Sequence, residues 1–154
     1  MTDRTLECIE ADPSSREAGA LIESLDEELR QIYPGEPVHG IDPDEFRRSG
    51  GVFLIGRLDG RAVACGALRP AGPGTGEVKR MFVRPEHRRQ GFSRAILGAI
   101  EERARDRGYG TIRLETGVDQ PAAIALYQSA GYYPIPAYGE FADDPRSLCF
   151  EKRL

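Results

Sequence analysis

Arg88-Arg89-Gln90-Gly91-Phe92-Ser93 is a short arginine- and glycine-bearing turn between two patterned runs, Glu77 to Val83 and Gln90 to Arg107. The first run reads as a strand. The second carries Phe92, Ile96, Leu97, Ala99, Ile100 and Ala104 as an apolar stripe and reads as a helix ended by Gly108. Gly91 lacks a Cβ and lets the backbone come close to a ligand. The N–H groups of a helix's first turn have no partner inside the helix, and the helix dipole is positive there. Arginines beside that end add fork-shaped donors that match phosphate oxygens. The stretch therefore reads as a pyrophosphate cradle, against the simpler reading of a solvated basic helix start.

Charge supports a local anionic ligand. The 154-residue chain has a net charge of −4. Between Lys79 and Arg94, however, lie Lys79, Arg80, Arg84, Arg88, Arg89 and Arg94 against the single acid Glu86. An acidic protein with one concentrated basic segment is no general nucleic-acid binder. No long apolar run and no signal-peptide pattern is present, so no membrane association is expected. The length fits one domain over residues 1–154. Cys8, Cys65 and Cys149 form no CxxC pair. They read as buried free thiols in a reducing, cytoplasmic setting, with no metal site.

The remaining elements give an α/β order. Thr5 to Glu10 is an edge strand. The helix to Ile32 follows caps at Asp12 to Ser15. Tyr33 to Asp44 is loop, with a short helix near Phe46. Strands at Gly51 to Leu58 and Arg61 to Arg69 are joined by Asp59-Gly60, a hairpin signal because both central residues of a type I′ turn need positive φ. Tyr109 to Gly117 is a strand. Asp119 or Gln120 caps a helix with Pro121 in its first turn, closed by Gly131. Tyr132 to Ile135 and Ser147 to Arg153 form a last strand pair around a loop.

Val83 to Leu97, containing Arg88-Arg89-Gln90-Gly91-Phe92-Ser93, resembles the acetyl-coenzyme A signature of the GNAT family of N-acetyltransferases. Leu114-Glu115-Thr116, Gln120 to Tyr127 and Gly131-Tyr132 are similar to that family's second conserved pattern. The resemblance covers residues 50 to 154 and extends to the first helix. Ser93 stands where the family has Gly or Ala, and Gln120 where it has Asn.

The resemblance implies a mixed, mostly antiparallel sheet splayed between its fourth and fifth strands, with helices on both faces. Acetyl-coenzyme A is the implied co-substrate, with no metal. Its pantetheine arm would pair with the backbone of Met81, Phe82 and Val83 and pass Gln120. Its pyrophosphate would rest on Arg88, Arg89, Gln90, Gly91, Phe92 and Ser93, with Arg94 and Arg84 at the rim. Tyr127 is the implied group near the coenzyme sulfur, against a reading as a core aromatic. Glu115 is the candidate base, against a structural carboxylate paired to Arg113 or Arg80, and Glu77 is the other carboxylate that could serve. The acceptor site would be built from Tyr33 to Phe46 and Ile135 to Ser147. The expected reaction is acetyl transfer to a primary amine of a small molecule or amino acid. A peptide N-terminus as acceptor and a non-catalytic acyl-coenzyme A sensor are the alternatives. A homodimer is compatible with the chain.

Overall fold

The computed structural model describes residues 5–154. Seven strands form one sheet in the order β1-β2-β3-β4-β5-β7-β6. They are β1 (Glu7–Ala11), β2 (Val52–Leu58), β3 (Arg61–Pro70), β4 (Thr75–Val83), β5 (Thr111–Gly117), β6 (Tyr133–Ile135) and β7 (Ser147–Arg153). Every neighbouring pair is antiparallel except β4 and β5. The hairpin between β2 and β3 turns at Asp59 and Gly60, whose φ values of 50° and 80° are those a type I′ turn requires.

Helices cover both faces. Helix α1 (Arg16–Ile32) starts where the Ser15 side chain accepts from the Ala18 N–H. It packs Ala18, Leu21 and Leu25, with Phe46 of the short helix α2 (Pro43–Arg48), onto Phe53, Ile55, Cys65 and Phe82. Helix α3 (Phe92–Asp106) lays Ile96, Leu97 and Ile100 on the other face against Leu54, Leu68, Val78, Ile112 and Leu114. Helix α4 (Pro121–Ser129) adds Tyr127 to that second core. Truncating Ile96 or Ile100 to Ala removes volume from a fully buried site and costs about 2–5 kcal/mol. No helix of the described residues is long and apolar enough to cross a membrane.

Two features of β4 position the site. Its parallel pairing with β5 lasts only from Thr75 opposite Thr111 to Val78 opposite Leu114. Beyond Val78 the two strands part, as the splayed sheet requires. On its other edge β4 has a register shift against β3, between Cys65 opposite Phe82 and Ala67 opposite Lys79. Arg80 lies in this bulge with φ of 57°. A bulge re-aims side chains and takes one residue off the ladder.

Two local expectations change. The helix begins at Phe92, not Gln90, because Arg89 (φ 65°) and Gly91 (φ 81°) are left-handed and cannot continue a right-handed turn. The loop before β7 contains a 3₁₀ turn, Gly139–Phe141, which seats Phe141 in the interior.

Candidate active site

A cleft of about 770 Å³ enters where β4 and β5 part. At one end it is lined by Arg88, Arg89, Gly91, Phe92, Ser93 and Arg94. Gly91 is the N-cap of α3, and no side chain caps the first-turn N–H groups there. A Cβ built on Gly91 meets nothing within 4 Å. Backbone donors at a positive helix end therefore face open space, which suits a pyrophosphate. Arg94 donates to Ser129 Oγ across the mouth. Arg88 is held from behind: its Nε donates to the Val83 carbonyl at 2.8 Å and its Nη2 to Glu28 at 2.5 Å.

Two arginine-turn expectations are displaced. Gln90 does not line the cleft, because the left-handed turn carries it outward. Arg84 is also outside it, with Nε donating to the Ala62 carbonyl at 3.2 Å. The other proposed contact residues, Met81, Phe82, Val83 and Gln120, all line the cleft.

At the middle of the cleft stand Tyr127 and Glu115. Tyr127 is 5% exposed and packs edge-on against Tyr132, with ring centroids 5.8 Å apart. Burial, and secondarily the Glu115 charge, push its phenol above the ordinary value, so it stays protonated. Glu115 is paired to neither Arg113 nor Arg80. Its Oε2 accepts from Ser147 Oγ at 2.6 Å. Burial raises its carboxyl above the usual carboxylate value of 4.5, against the opposing Ser147 hydrogen bond and the charges of His39 and Lys79. Arg113 stacks over Tyr138, 4.0 Å from the ring centroid, and Arg80 is paired with Asp26 of α1.

Glu77 also borders the cleft, but both its oxygens are engaged. Arg69 Nε donates to Oε1 and Tyr138 Oη to Oε2, each at 2.7 Å. At 4% exposure it is a clamped carboxylate. The thiols take no part: burial pushes Cys65 up to about 12 and raises Cys149 and Cys8. No group of metal-ligating side chains occurs among the described residues.

The far end is roofed by loop 33–42 and by loop 136–146. The Asp119 N–H donates to Tyr33 Oη at 3.1 Å. Arg146 donates to Glu36 at 2.7 Å and to Asp144 at 3.3 Å. Its backbone N–H and guanidinium hold the Asp144 carboxyl below the usual range, and its guanidinium does the same for Glu36. His39 lies 3.6 Å from Asp144, 3.8 Å from Glu140 and edge-on to Phe141. Sequence reasoning singled out both loops but neither His39 nor Arg146, since nothing local marks a residue whose partner lies about a hundred positions away. It also passed over Lys79 as a site residue. Glu77 and Lys79 alternate on one strand beside the split, and that pairing was the available signal.

The geometry agrees with comparisons to known proteins. The model of the Acetyltransferase (GNAT) family matches residues 19–132. The IAA acetyltransferase of Azospirillum brasilense is 42% identical over 135 residues, 87% of this chain and 88% of the relative. A crystal structure from Klebsiella pneumoniae, of a protein assigned as an acyl-CoA N-acyltransferase, is 34% identical with a TM-score of 0.83, covering 97% of this chain and 98% of that one. A GNAT family acetyltransferase from Elizabethkingia anophelis with acetyl-CoA bound shares the fold at a TM-score of 0.74 and 17% identity, over 99% and 100% of the two chains. As its two sequence motifs implied, the chain belongs to the GNAT family of N-acetyltransferases.

Proposed function

We propose that residues 1–154 form one acetyltransferase domain that moves an acetyl group from acetyl-coenzyme A to a primary amine of a small molecule, by direct attack in a ternary complex. The observation that carries this reading is the placement of Glu115 and Tyr127 in one cleft, beyond the uncapped α3 end at Gly91. The coenzyme supplies a thioester-activated acetyl group. The α3 N-terminus and Arg89, with Arg94 at the rim, hold the pyrophosphate. The free edge of Met81, Phe82 and Val83 takes the pantetheine arm.

Glu115 accepts a proton from the acceptor ammonium, freeing the nitrogen lone pair for attack. Its raised pKa brings it closer to the working pH than an exposed carboxylate would be. Tyr127 offers its O–H to the thiolate that develops as the C–S bond breaks. Its own raised pKa makes it a hydrogen-bond donor there rather than a source of tyrosinate. Glu77, clamped by Arg69 and Tyr138, shapes the floor of the site instead of shuttling protons. Three free thiols, with Cys65 and Cys149 buried and Cys8 partly exposed rather than buried as expected, accord with a cytoplasmic location.

The test is release of free thiol from acetyl-coenzyme A with a mixed panel of amines, comparing the unaltered protein with Tyr127→Phe. Acceptor-dependent release that collapses in the variant supports the reading. Coenzyme binding with no release from any amine overturns it.

A further inference from the structure

Lys79 occupies the fork of the sheet. The residue before it, Val78, is the last on β4 paired with β5. The bulge that follows turns both Lys79 and Arg80 toward the cleft. Arg80 is paired with Asp26 at one guanidinium nitrogen, although its Nε has no hydrogen-bond partner among the described residues. Lys79 has a single nitrogen to satisfy. Its side chain is 6% exposed, yet Nζ has no hydrogen-bond partner among the described residues. Glu140 Oε1 lies 3.5 Å away as an ion pair without hydrogen-bond geometry, and Nζ stands 5.5 Å from the Phe141 ring centroid. An ammonium offers three N–H donors, and a buried charge is stable only when paired and hydrogen-bonded.

The charges facing Lys79 narrow the missing partner. Glu77 is neutralised by Arg69, which also repels Lys79. Glu140 is half exposed and shared with His39. Glu115 stands across the fork within electrostatic reach. The fork therefore presents a buried ammonium without a hydrogen bond beside a buried carboxylate. A doubly charged anion would be repelled by Glu115 and Glu140 more strongly than a single carboxylate would be. A single carboxylate on a molecule that also bears an ammonium matches both groups at once. Burial lowers the Lys79 pKa, and a bound carboxylate would oppose that shift by favouring the charged form.

We propose that Lys79 is a specificity-determining residue whose ammonium binds the carboxylate of the acceptor, so that the acceptor is a free amino acid rather than a polyamine or a protein N-terminus. This rests on the acetyl-transfer reading above and names its substrate class.

The probes are the standard amino acids, β-alanine and 4-aminobutyrate, each beside its carboxamide, read by thiol release. At least one acid is expected to exceed its amide by about a hundredfold in kcat/KM, because an amide offers the buried ammonium no charged acceptor. In Lys79→Gln and Lys79→Met that ratio should fall to near one through a rise in the KM of the acid, and Lys79→Arg should recover part of it. Calorimetric binding of coenzyme A reports that each variant is folded. Amides or simple amines turned over as well as acids by the unaltered protein would overturn the proposal and leave acetyl transfer standing. A ratio unchanged in both Lys79→Gln and Lys79→Met would overturn it too. If no amine releases thiol although coenzyme A binds, the transfer reading fails. Calorimetric titration of the same acids and amides into the coenzyme-loaded protein then decides the carboxylate site: Lys79-dependent preference for acids upholds it, and its absence overturns it.

Discussion

The two parts of the cleft are built in opposite ways. The end at Arg88 to Arg94 is one contiguous stretch, and its chemistry is mostly main chain: left-handed residues at Arg89 and Gly91 and uncapped N–H groups at the start of α3. The rest of the cleft, with Glu115, Lys79, His39 and Arg146, is side-chain chemistry. It is assembled from β4, β5 and two loops that approach only in the folded chain. A backbone site tolerates many side chains and reads a shape that does not vary. A side-chain site can change its ligand with one substitution. That contrast fits the proposed pairing of an invariant coenzyme with a variable acceptor.

Breaking the backbone end should produce the largest effect. Gly91→Val places a β-branched residue at φ 81° and a side chain in the open cradle. Calorimetry should show no measurable coenzyme A binding. Gly91→Asn separates the two causes, since Asn tolerates the left-handed backbone while still filling the space. Binding should be lost there as well, and normal binding by Gly91→Asn would mean that only backbone strain mattered.

The centre of the cleft comes next. Tyr127→Phe keeps the ring packed on Tyr132 and removes the donor. It should lower kcat by about a hundredfold to ten-thousandfold with an unchanged melting temperature. An unaltered kcat, with chemistry rate-limiting, would return Tyr127 to the core. Glu115→Gln tests the proton acceptor through its pH profile. A base works only when deprotonated, and this one has a raised pKa. The acid limb of kcat/KM in the unaltered protein should therefore lie above the ordinary carboxylate value of 4.5. The variant should lose that limb. Its deficit, on the order of a hundredfold near neutrality, should shrink as pH rises and the amine deprotonates unaided. Parallel profiles would reassign Glu115 to structure.

The smallest effect should come from the roof. A Cβ on Gly117 would stand 1.8 Å from Tyr33 Oη. Gly117→Ala must push Tyr33 off its hydrogen bond with the Asp119 N–H. About 1 kcal/mol of strain should appear as a rise of about fivefold in acceptor KM. A variant that binds the acceptor as before would show that the Tyr33 crossing does not shape the site.

Local physics made much of this molecule legible from residues alone. The Asp59-Gly60 hairpin, the Ser15-capped first helix, the apolar stripe of α3 and the glycine at its N-terminus each depend on neighbours within one or two turns of chain. The family motifs carried the sheet's opening and the candidates Glu115 and Tyr127. What stayed hidden has a common cause. The β4 bulge at Arg80 and the clamping of Glu77 by Arg69 and Tyr138 follow from pairing between separate segments. So does the burial that leaves Lys79 without a hydrogen bond. By itself the sequence determined where backbone geometry is cheap and which faces are apolar, and so the fold and the uncapped helix end at Gly91. Only the tertiary structure decided which charges are desolvated together. A charge acquires its chemistry from its burial and its partners, and both are set by chain segments far away in sequence.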